Sequence, residues 1–302
     1  MSYRHRKSRI ILAAIVFPVI LLAFASCATA PPKMATEEWF ALLPEKSSMY
    51  IYLDRAKSSD LLDEILVSAK LLDNDVKYIL SKTDKIYGTM DISGNSQPVL
   101  SIVTLGSYPA SLINLRLSFS KYWEKKKYKK VYFVNKGNKL EVAFPGNSVI
   151  LISQKAIEVM LENYIEPPFF KMLEPVKNDL KSSDLLIYFP AVPEGTALKD
   201  RLTKIRTTVN EIWIAGNRKR DDYELSGAFI VSTDKQAKVF AALFRLIITA
   251  WLREEKVKDI GKVLKSITVA VEGSTVRVSG FEIPEKDIVP ALIKLMQKDK
   301  EN

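Results

Sequence analysis

Short runs of alternating apolar and polar residues recur from residue 47 onward, each bounded by turn-forming residues. They are "SSMYIYL" (47–53), a run near 84–91, "PVLSIVTL" (98–105), "KVYFVN" (130–135) and "VAFPGNSVILIS" (142–153). Later come "SSDLLIYF" (182–189), 211–216, 222–232 and "VAVEGSTVRVSG" (269–280). The first of the two longest runs folds back at Pro145-Gly146-Asn147 and the second at Glu272-Gly273-Ser274, so each predicts a β-hairpin. Between the strands the period lengthens to that of a helix. Leu61, Leu62, Ile65, Leu66 and Ala69 predict a helix over 60–81. Others are expected at 109–120, 154–164, 196–209, 234–255 and 285–296, with Thr233 or Asp234 capping the one at 234–255. Pro290 marks a kink or a start inside the last.

The order of these elements repeats. The two hairpin segments align without a gap and share Val, Ala, Gly and Val at four of twelve positions, and "SSMYIYL" corresponds to "SSDLLIYF". Each half reads βαββαββα, with a strand added at 130–135 in the first. The expectation is an α+β protein of two tandem copies, with mainly antiparallel sheets and packed helices. The expected divisions are 1–26, 27–44, a first repeat at 45–164, a linker at 165–181 holding Pro167, Pro168 and Pro175, and a second repeat at 182–302. Each repeat is long enough to bury a core.

The N-terminus has a different logic. Arg4, Arg6, Lys7 and Arg9 precede sixteen uncharged residues, Ile10 to Ala25, and then the chain's single cysteine. Basic, apolar and small residues in that order predict a secretory signal peptide over 1–26. The apolar run is short for a membrane span. Phe24, Ala25, Ser26 and Cys27 resemble a bacterial lipobox of the relaxed, spirochaete-like kind. The resemblance implies that Cys27 is acylated and becomes the N-terminus of the mature chain, with 27–44 as a tether. It also implies a cell-envelope lipoprotein on the periplasmic or surface side, with the outer membrane favoured because Ala28 is not Asp. The alternative is an uncleaved signal anchor. The phrase "LPEKSSMYIYLD" (43–54) resembles the opening of uncharacterised bacterial envelope domains and implies no activity.

Composition narrows the chemistry. The single histidine, His5, lies in the predicted signal peptide, so the mature chain has none. Ser-His-Asp and Cys-His catalysis, haem ligation by His, Cys/His zinc sites and disulfides are excluded within such a chain. No cofactor is expected: the eleven glycines form neither GxGxxG nor GxxxxGK[ST]. Removing the four basic leader residues from the formal charge of +10 leaves +6. That suits acidic partners or anionic head groups and does not mark a nucleic-acid binder.

One segment concentrates the charge. "KYWEKKKYKK" supplies Lys121, Tyr122, Trp123, Lys125, Lys126, Lys127, Tyr128, Lys129 and Lys130 as candidate ligand or membrane contacts. Its bland reading is a solvated turn with Tyr122 and Trp123 tucked inward. "NRKRDD" (217–222) reads as a turn. "VFAALFRLIITAWL" (239–252) is apolar all round except Arg245, which predicts a helix buried on several sides or the wall of an apolar cavity. Ser118–Lys121 and Ser232–Lys235 match Ser-x-x-Lys without the partner motifs of penicillin-binding enzymes. Asp73 with Asp75, and Asp221 with Asp222, are carboxylate pairs in expected loops.

The resulting expectation is a lipid-anchored binding or scaffolding module, not an enzyme. It would hold an envelope protein, an envelope polymer or an apolar ligand such as lipid, with acyl chains in the membrane and a groove between the copies as the natural site. The competing class is a His-free envelope hydrolase working through carboxylates or Ser/Lys.

Overall fold

The computed structural model describes residues 34–45, 47–58, 61, 79, 81–91, 99–194, 196–204, 208–220, 222–254 and 260–296. Cys27, Asp73, Asp75, Asp221 and most of the expected helix over 60–81 lie outside them.

The strands are β1 (Met49–Asp54), β2 (Thr83–Asp91), β3 (Val99–Gly106), β4 (Trp123–Tyr128), β5 (Lys130–Asn135) and β6 (Glu141–Gly146). They continue with β7 (Val149–Ser153), β8 (Leu185–Phe189), β9 (Val209–Lys219), β10 (Asp222–Val231), β11 (Thr268–Glu272) and β12 (Thr275–Pro284). All twelve join one sheet in the order β11-β12-β10-β9-β8-β1-β2-β3-β7-β6-β5-β4. Every pairing in it is antiparallel. From the β1–β8 seam the order runs outward in the same manner both ways. One arm is β8-β9-β10-β12-β11. The other is β1-β2-β3-β7-β6, lengthened by β5 and β4.

At the seam the described strands are packed: all five residues of β8 are buried. Tyr52 faces Leu186 and Ile51 faces Ile187 across it. The sheet passes unbroken from one half to the other.

The period-2 pattern sorts side chains to two faces. The front is covered by a 3₁₀ turn, η1 (Thr36–Leu42), and by helices α2 (Ile157–Ile165) and α3 (Glu174–Ser182). Its core joins Trp39, Phe40, Tyr50, Tyr87, Leu151, Met160, Val176, Leu180 and Trp213. The ring of Phe40 meets Tyr87 at 5.1 Å and Tyr50 at 5.7 Å, both edge to face. Thus the core begins inside the stretch expected to be tether, and the Pro-containing connection at 165–181 carries a helix anchored by Val176 and Leu180.

The back carries α1 (Ala110–Ser118), α4 (Ala197–Lys204), α5 (Asp234–Glu254), α6 (Ile260–Ser266) and α7 (Glu285–Met296). Phe240, Ile248 and Leu252 of α5 pack with Ile212, Tyr223, Val276 and Ile288. A smaller back cluster joins Ala110, Phe133, Val142, Phe144 and Ile150. Thr233 caps α5, its Oγ1 accepting from the Gln236 amide at 3.2 Å.

The gapless match between the two hairpins slips by one residue. Ala143 pairs Leu151 on the front face, but beyond it β6 bulges before Gly146 meets Val149. The β11–β12 hairpin has regular register through Glu272–Thr275. Ala143 and Ala270 therefore share a face, whereas Leu151 corresponds in facing to Arg277 and not to Val278. The bulge spans Phe144 and Pro145, and proline has no amide to give to a ladder.

Candidate functional site

The lysine-rich segment is an edge strand, not a turn. β4 pairs β5 from Trp123↔Asn135 to Tyr128↔Lys130 and ends the sheet. It adds a second strand to the first half beyond the expected one at 130–135. Register divides its side chains. Lys125 faces Phe133 and Lys127 faces Val131, on the back with Trp123. Lys126 faces Tyr132 and Glu124 faces Val134, on the front. Trp123 is half-buried, while Tyr122 remains 63% exposed and carries Lys121 Nζ over its ring at 5.1 Å.

The other expected contacts are held by the fold. Tyr128 donates a very short hydrogen bond to Glu162 on α2. Lys129, with φ 50, sits at the β4–β5 turn with its Nζ 3.5 Å from Glu162. The Tyr128 hydroxyl, followed by Lys129, holds the Glu162 carboxyl below its usual range, and that hydrogen bond raises Tyr128. Lys130 donates to the Pro145 carbonyl at 3.0 Å and lies over Tyr164. Burial, followed by the Glu158 hydrogen bond, pushes Tyr132 up to about 12.

The surface nearby is apolar. Helix α1 faces the sheet with Ala110, Ile113 and Leu117. Opposite that stripe, Leu112, Leu115 and Phe119 are exposed, Phe119 at 83%. Helix α5 repeats the arrangement at the other end of the same face. It buries Ala237, Phe240, Ala241, Ile248 and Leu252, and turns Val239, Leu246 and Ile247 outward, Leu246 at 67%. The expectation of burial on several sides is corrected: one side of α5 is core and the opposite side is open. The two outer stripes were legible in the 3–4 spacing of 112, 115 and 119 and of 239, 242, 246 and 250. What the sequence lacks is which of two apolar stripes meets the sheet.

Three of the described carboxylates, Asp179, Asp184 and Glu285, each bind two structural partners. Asp184 accepts Lys57 Nζ at 2.7 Å and the Arg218 amide at 3.0 Å. Glu285 receives Arg218 Nη2 at 2.8 Å and the Leu61 amide at 3.0 Å. Asp179 takes Trp213 Nε1 at 2.6 Å and Arg277 Nη1 at 3.1 Å. Of the Ser-x-x-Lys pairs, Ser118 donates to the Asn114 carbonyl, and Ser232 and Lys235 are exposed where α5 starts. Among the described residues no group of three His, Cys, Asp or Glu could hold a metal ion, and no helix is long and apolar enough to cross a membrane.

The family model for "Outer membrane-associated lipoprotein TP0453" matches residues 34–286. The chain belongs to this family. It is a lipoprotein of the cell envelope, associated with the outer membrane. Three crystal forms of TP0453 share the fold. Form I aligns at 15% identity with a TM-score of 0.61, covering 85% of this chain and 97% of that one. Forms III and IV align at 14% with a TM-score of 0.57, covering 84% and 96%. No curated protein matches the sequence.

Proposed function

We propose that this chain is a membrane-apposed binding module: acyl chains on Cys27 moor it, and the back face lies against the bilayer. The single observation that carries the reading is the pair of outer stripes. Helices α1 and α5 sit at opposite ends of one face, and each presents apolar residues to solvent directly opposite its core stripe. An apolar helix face of this kind binds an interface in proportion to the area it buries there. Two such helices on one face favour a flat apposition over a single point of contact. Membership of an outer membrane-associated family supports the location. The front face, with η1, α2 and α3, is then left to an envelope partner, which makes the module a scaffold.

Hydrogen exchange on the full lipoprotein in lipid vesicles tests this. Amides of 110–118 and 234–254 should slow relative to detergent-free, vesicle-free protein, while those of 157–165 do not. Unchanged exchange in both back helices, or protection of α2 instead, rejects the apposition. Replacing Cys27 with Ser should remove the acyl mass from the intact protein; a retained acyl mass rejects that attachment point.

The body is further read as two copies of one unit. The mirrored strand order and the matching positions of η1 before β1 and α3 before β8 support this reading. A superposition that fails to bring β8-β9-β10-β12-β11 onto β1-β2-β3-β7-β6, strand for strand, overturns it.

A further inference from the structure

We infer that the back face distinguishes anionic from zwitterionic lipid, and that it does so through Lys125 and Lys127 rather than through the lysine run as a whole. The inference rests on the membrane-apposed reading and deepens it. Six lysines occur between residues 121 and 130, and the pleat of β4 assigns them different fates. Lys129 and Lys130 are committed within the fold, one beside Glu162 and the other to Pro145 and Tyr164. Lys126 points to the front with the run's one acid, Glu124. That leaves Lys125 and Lys127 on the back, exposed beside Trp123, with Lys121 on the Tyr122 ring.

Among the described residues, neither Lys125 nor Lys127 makes an ion pair. Helix α1 packs against β4, so both lie on the same face as Leu112, Leu115 and Phe119, which would enter the interface. Ammonium groups beside an apolar surface that enters the interface would meet head-group phosphates. Each lysine near an anionic surface contributes ~1 kcal/mol, about five-fold in partition. The competing explanation is that lysines on an edge strand only prevent strand-to-strand pairing between molecules.

The test uses the full, acylated lipoprotein in vesicles of phosphatidylcholine alone or mixed with phosphatidylglycerol. A fluorophore at Ser118→Cys reports contact through a quencher carried by the lipid. Phosphatidylglycerol should favour contact, and added salt should weaken the preference. K125Q/K127Q should lose about 25-fold of the preference, and K126Q much less. Sodium phosphate should displace no more than sodium chloride of equal ionic strength, because a charged surface and not a phosphate pocket is being read. The inference is overturned if K125Q/K127Q keeps the preference, if the double variant only begins to self-associate, or if phosphate displaces specifically. Failure of the underlying reading looks different: no contact on either kind of vesicle, or a Phe119→Ser variant that docks as well as the parent on both.

Discussion

The two halves share a strand order but dress their sheets differently. In the first, the helix after the hairpin, α2, packs on the front, with Ile157, Met160 and Leu161 in that core. In the second, the corresponding helix, α7, packs on the back, where Ile288 joins Phe240 and Val276. The strands leading into them differ. β7 ends after five residues, whereas β12 runs for ten and passes through an irregularity of its pairing with β10 at Gly280, whose φ is +86. Among the described residues, the front of the second half consequently has no counterpart of α2. It is finished with small and polar residues and with Arg277, which lies over the Trp213 ring at 5.6 Å and reaches Asp179. One strand-helix pattern thus supports two layer arrangements, which differ in a glycine of positive φ and in strand length.

The largest effect should come from removing that glycine. A Cβ at Gly280 would stand 2.0 Å from the Ser266 carbonyl oxygen, in a backbone conformation that side chains rarely adopt. Gly280→Ala should cost about 2–5 kcal/mol, read as a lower denaturant midpoint. An unchanged midpoint would mean that Gly280 does not set the course of β12.

Alkaline titration probes the opposite half. Burial raises the Tyr52 and Tyr108 hydroxyls to about 12 and holds Tyr87 above its ordinary value. Only Tyr188 and Tyr223 do so in the second half. A folded pKa above the unfolded value gives stability that is complete below pH 10 and is lost as pH rises toward 12. Each such tyrosine should steepen the loss by about 1.4 kcal/mol per pH unit. Unfolding followed between pH 10 and 12 should therefore weaken with pH, and Tyr108→Phe should reduce the slope. A slope that Tyr108→Phe leaves intact would exclude this hydroxyl as a contributor.

The smallest effect concerns the bare front. Arg277→Ala should cost about 1 kcal/mol, since the side chain is part-exposed and the ring contact contributes modestly. It should also shift Trp213 emission to the red as water reaches the indole. No shift would show that Asp179 and α3 shield the ring unaided.

Most strands were readable because their faces alternate between core and solvent. β4 was not, because an edge strand needs backbone pairing on one side only. With Trp123 and Tyr128 as its anchors, it shows no apolar alternation between them. The one-residue slip between the hairpins was hidden for a related reason: identity at four positions is blind to a bulge at Phe144-Pro145, which changes facing and not composition. The candidate site was readable as residues but not as geometry. Nothing in the order of the lysines says that Lys129 and Lys130 are held by α2 and β6 while Lys125 and Lys127 stand free. Likewise α5 reads as deeply buried from its apolar content, though only packing decides which side meets a sheet.

The contact between Glu285 and the Leu61 amide has a temporal consequence. Leu61 lies shortly after β1, and Glu285 opens α7. β1 itself pairs with β8 as well as with β2. An exported polypeptide crosses its membrane from the N-terminus onward, so the early strands arrive long before the segments that complete them. Such long-range closure is slow and leaves strand edges uncovered meanwhile. The β1–β8 pairing and the Leu61–Glu285 contact can therefore close only after segments far along the chain have been delivered.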